Sequence, residues 1–155
     1  MKGNDKIIEK INFLLADELT AISQYMVEAE MCANWGYKHL AEAMEKRAVD
    51  EMKHAEKHIG RILFLEGKPI VSELNKMHIG GSVEAQHKND WDAESGAIKA
   101  YNEAIKLAVE VGDNGTREMF EAILKDEEDH IDWIEAQLDQ IRQMGLPAYL
   151  SEQIS

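Results

Sequence analysis

"DEMKH" (residues 50–54) and "DEEDH" (126–130) carry the same Asp-Glu-x-x-His spacing 76 residues apart. A lone Glu-x-x-His says little, since about one is expected by chance in a chain this rich in Glu and His. The shift of 76 extends well beyond this motif. "LADELTAISQY" (15–25) falls on "WDAESGAIKAY" (91–101), matching Glu18 with Glu94, Ala21 with Ala97, Ile22 with Ile98 and Tyr25 with Tyr101, and Gly36 falls on Gly112. The chain therefore reads as two copies of one unit. The copies keep their acids and histidines more faithfully than their apolar residues, the reverse of what a duplication kept only for packing would do. A third Glu-x-x-His, "EAQH" (84–87), shifts back onto Ile8 and Ile11 and has no counterpart. Glu84 is read as an acid favoured at a helix N-terminus, and His87 as a surface or bundle-end residue.

Each copy reads as a pair of helices. Apolar residues recur at helical spacing, as in Ile7, Ile8, Ile11, Leu14, Leu15, Leu19 and Ile22, and again in Ile105, Ala108 and Val109. No alternating strand pattern occurs. Breakers at "NWGYK" (34–38), "EGKPIVSELNKMHIGG" (66–81), "VGDNGT" (111–116) and "MGLP" (144–147) divide the chain. Four long helices and a short fifth are expected at about 4–34, 38–66, 83–112, 116–144 and 147–154, with Pro147 opening the last. Short links make antiparallel hairpins. One long crossover between two hairpins gives an all-α, ferritin-like four-helix bundle with a short C-terminal fifth helix. A chain of 155 residues suits a single domain spanning 1–155.

Composition narrows the function. Seventeen Lys and Arg against 30 Asp and Glu leave a net charge of −13, which disfavours nucleic acid and anionic membrane surfaces and favours cations as partners. No apolar run approaches the roughly 20 residues of a spanning helix. "MKGNDKIIEKINFLL" (1–15) lacks the apolar stretch and cleavage site of a signal peptide, so a cytoplasmic protein is expected. The single cysteine, Cys32, rules out a four-cysteine metal site within one chain. Metal binding would fall to carboxylates and imidazoles.

Residues i and i+3 share a helix face, so Glu51 and His54 can reach one ion, as can Glu127 and His130. Residues level in an antiparallel hairpin lie equally far from its turn. The midpoint of positions 18 and 51 falls between Asn34 and Trp35, and that of 94 and 127 between Glu110 and Val111, next to Gly112. Glu18 is therefore level with Glu51, and Glu94 with Glu127. The set Glu18, Glu51, His54, Glu94, Glu127 and His130 is the inward ligand pattern of ferritin-like di-iron or di-manganese bundles. Four buried carboxylates alone would repel and take up protons, whereas two divalent ions balance their charge. Mixed imidazole and carboxylate ligation suits iron or manganese. Tyr25 and Tyr101, seven residues after Glu18 and Glu94, are either hydrogen-bonded to ligands or core tyrosines with a solvated hydroxyl. Met52 points about 130° away from the bisector of Glu51 and His54 and cannot share their metal. Its counterpart is Glu128, so its role belongs to the first hairpin alone: packing or, since methionine can ligate haem iron, a haem site. Leu19, Ile22 and Met26 extend an apolar strip on the neighbouring helix.

The whole chain resembles the bacterioferritins, through "MKG", "LADELTAISQY", "DEMKHAEKHIGRILFLEGKP", "LKDEEDHIDWIEAQLDQIRQMGL" and the short terminal helix. The resemblance implies an iron-storage ferroxidase in a hollow shell of 24 subunits built from two-fold dimers. Glu51 and Glu127 would bridge two irons, Glu18 and Glu94 would be terminal ligands, and His54 and His130 would bind one iron each. Paired Fe(II) would be oxidised by dioxygen or hydrogen peroxide and stored as ferric mineral, with a ferredoxin-like reductant for release. Met52 would be the axial ligand of a haem b shared by two subunits, held noncovalently because no C-x-x-C-H is present. Lys46 stands where some bacterioferritins carry a histidine of an inner-cavity iron site together with the acid matching Asp50. A charged lysine cannot ligate, which places that inner site in doubt. Two other readings share these ligands: a rubrerythrin-like di-iron peroxidase or oxidase, whose usual four-cysteine module Cys32 alone cannot build, and a haem electron-transfer assembly with a structural di-metal site.

Overall fold

A computed structural model describes residues 1–155. Helices α1 (Asp5–Asn34), α2 (Lys38–Phe64), α3 (Val83–Glu110), α4 (Asn114–Met144) and α5 (Leu146–Ser151) account for all the regular structure. Helix α1 packs along α2 and α3 along α4, and the two hairpins meet through α1 with α3 and α2 with α4. The result is the all-α four-helix bundle with one long crossover, residues 65–82, and a short fifth helix.

Three of the long helices stop in the same way. After α1, Tyr37 N–H bonds Cys32 C=O at 2.9 Å; after α2, Gly67 bonds Ile62 at 2.9 Å; after α3, Asp113 bonds Ala108 at 2.9 Å. This closing bond needs a left-handed residue just before the donor, supplied by Gly36, Glu66 and Gly112 at φ of 86°, 63° and 74°. Glu66 adopts that conformation at a cost of about 1 kcal/mol relative to glycine. The glycine lies one position later because a Cβ on Gly67 would come within 2.7 Å of Ile8 Cγ2. Helix α2 thus ends two residues before its expected limit. Met1 and Gly3 cover its last carbonyls, bonding Phe64 O at 3.0 Å and Leu65 O at 2.9 Å. Helix α4 begins two residues early because Asp113 is its cap, accepting from Thr116 N–H at 3.0 Å, a contact worth about 1 kcal/mol.

Forty residues are buried, and 17 of them are polar or charged. The main apolar core joins Ile7, Ile11, Leu14 and Leu15 of α1 to Ile62, Tyr101, Phe120 and Ile123. A second apolar group at the other end gathers Cys32, Leu40, Val83, Ile141 and Tyr149. His87, expected at the surface or bundle end, lies at that end but is fully buried. Helix α5 seals it in: the His87 Nε2 lies 3.0 Å from the Tyr149 hydroxyl, which donates to Gln137 Oε1 at 2.8 Å.

Burial, reinforced by the Arg47 charge, holds His87 down to about 4. It is therefore neutral when folded, while the unfolded histidine takes a proton below about pH 6.5. The stability this neutrality confers is complete above that pH and is lost as pH falls toward 4. In His87→Phe, the stability difference from the parent should shift by about 2–3 kcal/mol in the variant's favour between about pH 7 and about pH 4.5. Denaturant midpoints at each pH measure it, and a constant difference would show that His87 titrates freely in the fold.

Candidate metal centre

The apolar periodicity of the four helices leaves a band of acids and imidazoles facing the bundle axis between the two apolar groups. Glu18, Glu51, His54, Glu94, Glu127 and His130 are each no more than 6% exposed. They form two clusters whose ligand atoms lie within 4.8 Å of one another: Glu18, Glu51, His54 and Glu127, and Glu51, Glu94, Glu127 and His130. Glu51 and Glu127 belong to both. His54 Nδ1 stands 3.1 Å from Glu127 Oε1 and 3.5 Å from Glu18 Oε2; His130 Nδ1 stands 3.0 Å from Glu51 Oε1 and 3.5 Å from Glu94 Oε1.

One atom of every member of this set completes no hydrogen bond: Glu18 Oε2, Glu51 Oε1, His54 Nδ1, Glu94 Oε2, Glu127 Oε1 and His130 Nδ1. A buried polar atom without a partner costs about 1–3 kcal/mol. Six of them in one place need a common remedy, and oxygen and imidazole nitrogen donors are what a divalent transition metal takes. The charges point the same way. Burial and the adjacent Glu51 push Glu18 far above the usual carboxylate range, and burial followed by Glu51 and Glu94 does the same to Glu127. Against burial, the close approach of Glu18, His130 and His54 keeps Glu51 low. Burial disfavours a charged His54, yet Glu127, Glu18 and Glu51 raise it well above its ordinary value. Glu51 and Glu94 likewise outweigh burial at His130 and bring it up to about 9. Protons thus supply the positive charge that two divalent ions would bring. The residues fit a pair of such ions.

Glu18, Glu94 and both imidazoles are anchored through their other polar atoms, and they are anchored crosswise. Tyr25 of the first hairpin donates to Glu94 Oε1 at 2.6 Å, and Tyr101 of the second donates to Glu18 Oε1 at 2.5 Å. Both tyrosines are 1% exposed, so of the two readings open from sequence, the ligand-bonded one holds. Each histidine faces the aspartate of the opposite copy: His54 Nε2 is 2.8 Å from Asp126 Oδ2 and His130 Nε2 is 3.4 Å from Asp50 Oδ2. A carboxylate accepting from Nε2–H holds each ring with Nδ1 turned toward the centre, where a metal ion would take the place of the Nδ1 proton. Sequence reasoning passed over this role, although its signal was present in the matched Asp50 and Asp126 of the repeat. Arg47 and His58 were also missed. The Arg47 guanidinium lies between the Tyr25 and Trp133 rings at 5.7 and 5.4 Å, and His58 Nε2 lies 2.6 Å from the Tyr101 hydroxyl.

A cavity of about 530 Å³ between α1 and α3 reaches Glu18, Glu51, Glu94 and Glu127 from outside, with Asp17, Asn75 and His78 near its mouth. Asn75 ties the crossover to α1 through Thr20 Oγ1 at 2.8 Å and Asp17 Oδ1 at 2.5 Å. Met52 belongs to neither cluster and is 43% exposed, on the hairpin that also exposes Met26, Val27 and Val49. Lys46 is at the surface with its Nζ 3.8 Å from Asp50 Oδ2. No helix is long and apolar enough to cross a membrane.

A family model for the ferritin-like domain matches residues 8–144. The chain is 40% identical over 145 residues to a bacterioferritin of Rhodobacter capsulatus, covering 94% of this chain and 90% of that protein. It is 36% identical over 149 residues to a bacterioferritin of Brucella melitensis, covering 96% and 92% of the two chains. It is 37% identical over 155 residues to one of Mycolicibacterium paratuberculosis, covering 100% and 98%.

Proposed function

The chain belongs to the bacterioferritin family, and from that premise we propose that it stores iron and oxidises Fe(II) at the six-residue centre. The observation that carries this reading is the pair of clusters sharing Glu51 and Glu127, with an unsatisfied buried atom on every member. Glu18 and His54 hold one iron, Glu94 and His130 the other, and Glu51 and Glu127 serve both. Iron is the substrate here, and dioxygen or hydrogen peroxide takes its electrons. The protein's own part is to hold the two ions at one place with their charge matched. Tyr25 and Tyr101 keep one oxygen of each outer glutamate turned away from the ions, and Asp50 and Asp126 hold each imidazole through Nε2 so that Nδ1 faces them. The cavity between α1 and α3 leads from solvent to four of the carboxylates and supports access from that side.

Storage requires a closed shell. Light scattering should report an assembly of roughly 420 kDa, about 24 copies of the 17.6 kDa chain, and a dimer as the sole species would remove the storage reading. Aerobic titration tests the chemistry: rapid oxidation should saturate at about two Fe(II) per subunit, followed by slower mineral growth. Peroxide consumption without accumulated ferric mineral would favour a peroxidase instead. In this reading Met52 from each of two facing subunits would hold a haem, and the exposed Met26, Val27 and Val49 would form part of the surface between them.

A further inference from the structure

The two halves of the centre carry the same ligands but not the same surroundings. The polar partners of Glu18 and His54 are acids, a phenol and, behind the phenol, a neutral imidazole. Glu18 Oε1 accepts from Tyr101, whose oxygen lies 2.6 Å from His58 Nε2. His58 is fully buried, and burial together with the charge on His54 holds it down to about 3, so it adds no charge. His54 has Asp126 at 2.8 Å, and that carboxylate pairs with no cationic side chain other than the imidazole.

Around Glu94 and His130 there are two permanent cations. Arg47 is 8% exposed, its guanidinium is fixed between two aromatic faces, and Nη1 lies 3.9 Å from Glu94 Oε1. Glu94 is the one carboxylate within 4.0 Å of it. Glu28 and Asp90 are also fully buried, but neither lies within 4.0 Å of the guanidinium, and burial followed by Asp90 pushes Glu28 up to about 11. Lys46 Nζ lies 3.8 Å from Asp50 Oδ2, the same oxygen that faces His130 Nε2 at the longer distance of 3.4 Å. The shift of 76 takes Lys46 and Arg47 to Ala122 and Ile123, and His58 to Ile134. The duplication that copies the ligands therefore does not copy these neighbours.

We propose that the two half-sites are unequal: the Glu18–His54 half binds the first divalent cation, and Arg47 makes the Glu94–His130 half the weaker, later-filled site. This rests on the dinuclear reading above. A fixed positive charge within a few ångströms of a ligand carboxylate opposes an incoming divalent ion, and between two side chains as buried as Arg47 and Glu94 that opposition is screened less than at the surface. Asp50 adds a smaller effect in the same direction, because Lys46 competes with His130 for its oxygen. Arg47 acts through Glu94 and is a positioning residue, not a ligand.

Anaerobic titration of the metal-free assembly with Co(II), followed by visible absorption and by calorimetry, tests this without turnover. Two binding steps per subunit are expected, with dissociation constants at least about tenfold apart. Glu94→Ala should remove the weaker step and Glu18→Ala the tighter. Arg47→Gln should tighten the second step and close the gap, while Arg47→Lys, which keeps the charge, should preserve it. Lys46→Ala, a surface change that leaves the core intact, should tighten the second step by a smaller factor. Two equal steps in the parent protein, a gap unchanged in Arg47→Gln, or loss of the tighter step in Glu94→Ala would each overturn the inequality. Co(II) binding that ignores both Glu18→Ala and Glu94→Ala would instead sink the dinuclear reading.

Discussion

Replacing Glu51 with glutamine should slow the rapid aerobic oxidation of Fe(II) by about 100-fold or more, at least the upper range seen when groups that merely support a metal ligand are removed. Glu51 belongs to both ligand clusters and is 3.0 Å from His130 Nδ1. Its loss therefore impairs both half-sites at once, whereas Glu18→Ala leaves one cluster intact. Glutamine keeps the volume of the side chain, so lost oxidation reflects lost negative charge and not a cavity. Glu127→Gln should match it, because Glu127 is the other shared carboxylate. Glu84→Ala is the control: it sits in the unpaired third Glu-x-x-His, pairs with Lys88 at 3.3 Å near the surface, and should leave the rate unchanged. Stopped-flow absorbance of ferric product measures all three. A rapid phase that persists in both glutamine variants would place the oxidation elsewhere in the assembly.

Met52→Leu should abolish the thioether-ligated haem spectrum of reconstituted protein while leaving Fe(II) oxidation at its parent rate. Leucine matches methionine in size and apolarity but has no sulfur. Because Met52 is 43% exposed and outside both ligand clusters, the change in subunit stability should stay within about 0.5 kcal/mol. Visible spectra of haem-titrated protein decide it, with a saturation point of about one haem per two subunits in the parent. An unaltered spectrum in Met52→Leu would remove Met52 as the ligand. Met26, 55% exposed on the same hairpin, would then be the next residue to replace.

The six members of the centre were legible because their placement is local. Three residues along a helix return a side chain to the same face, and equal distance from a hairpin turn sets two residues level. Glu51 with His54, and Glu18 with Glu51, follow from those two facts. Their recurrence at a shift of 76 separates them from "EAQH", which has the same spacing and no counterpart. The helix limits were legible to within a few residues. The discrepancies came from capping chemistry, such as Asp113 starting α4 and Glu66 taking the left-handed position so that Gly67 could pack against Ile8.

The all-α class, the two-hairpin connectivity and the identity of the six converging residues are thus written in the linear chain. Their surroundings depend on how the helices pack. Tyr25 bonds Glu94 and Tyr101 bonds Glu18 across the two hairpins, Asp126 faces His54 and Asp50 faces His130, and Arg47 comes to lie beside Glu94 between Tyr25 and Trp133. His87 is buried because α5 folds over it. These contacts join residues 22 to 86 positions apart, on helices whose relative rotation is set by interlocking side chains along their whole length. Helical periodicity specifies a direction around one helix axis, and the partner found in that direction is decided when the axes pack.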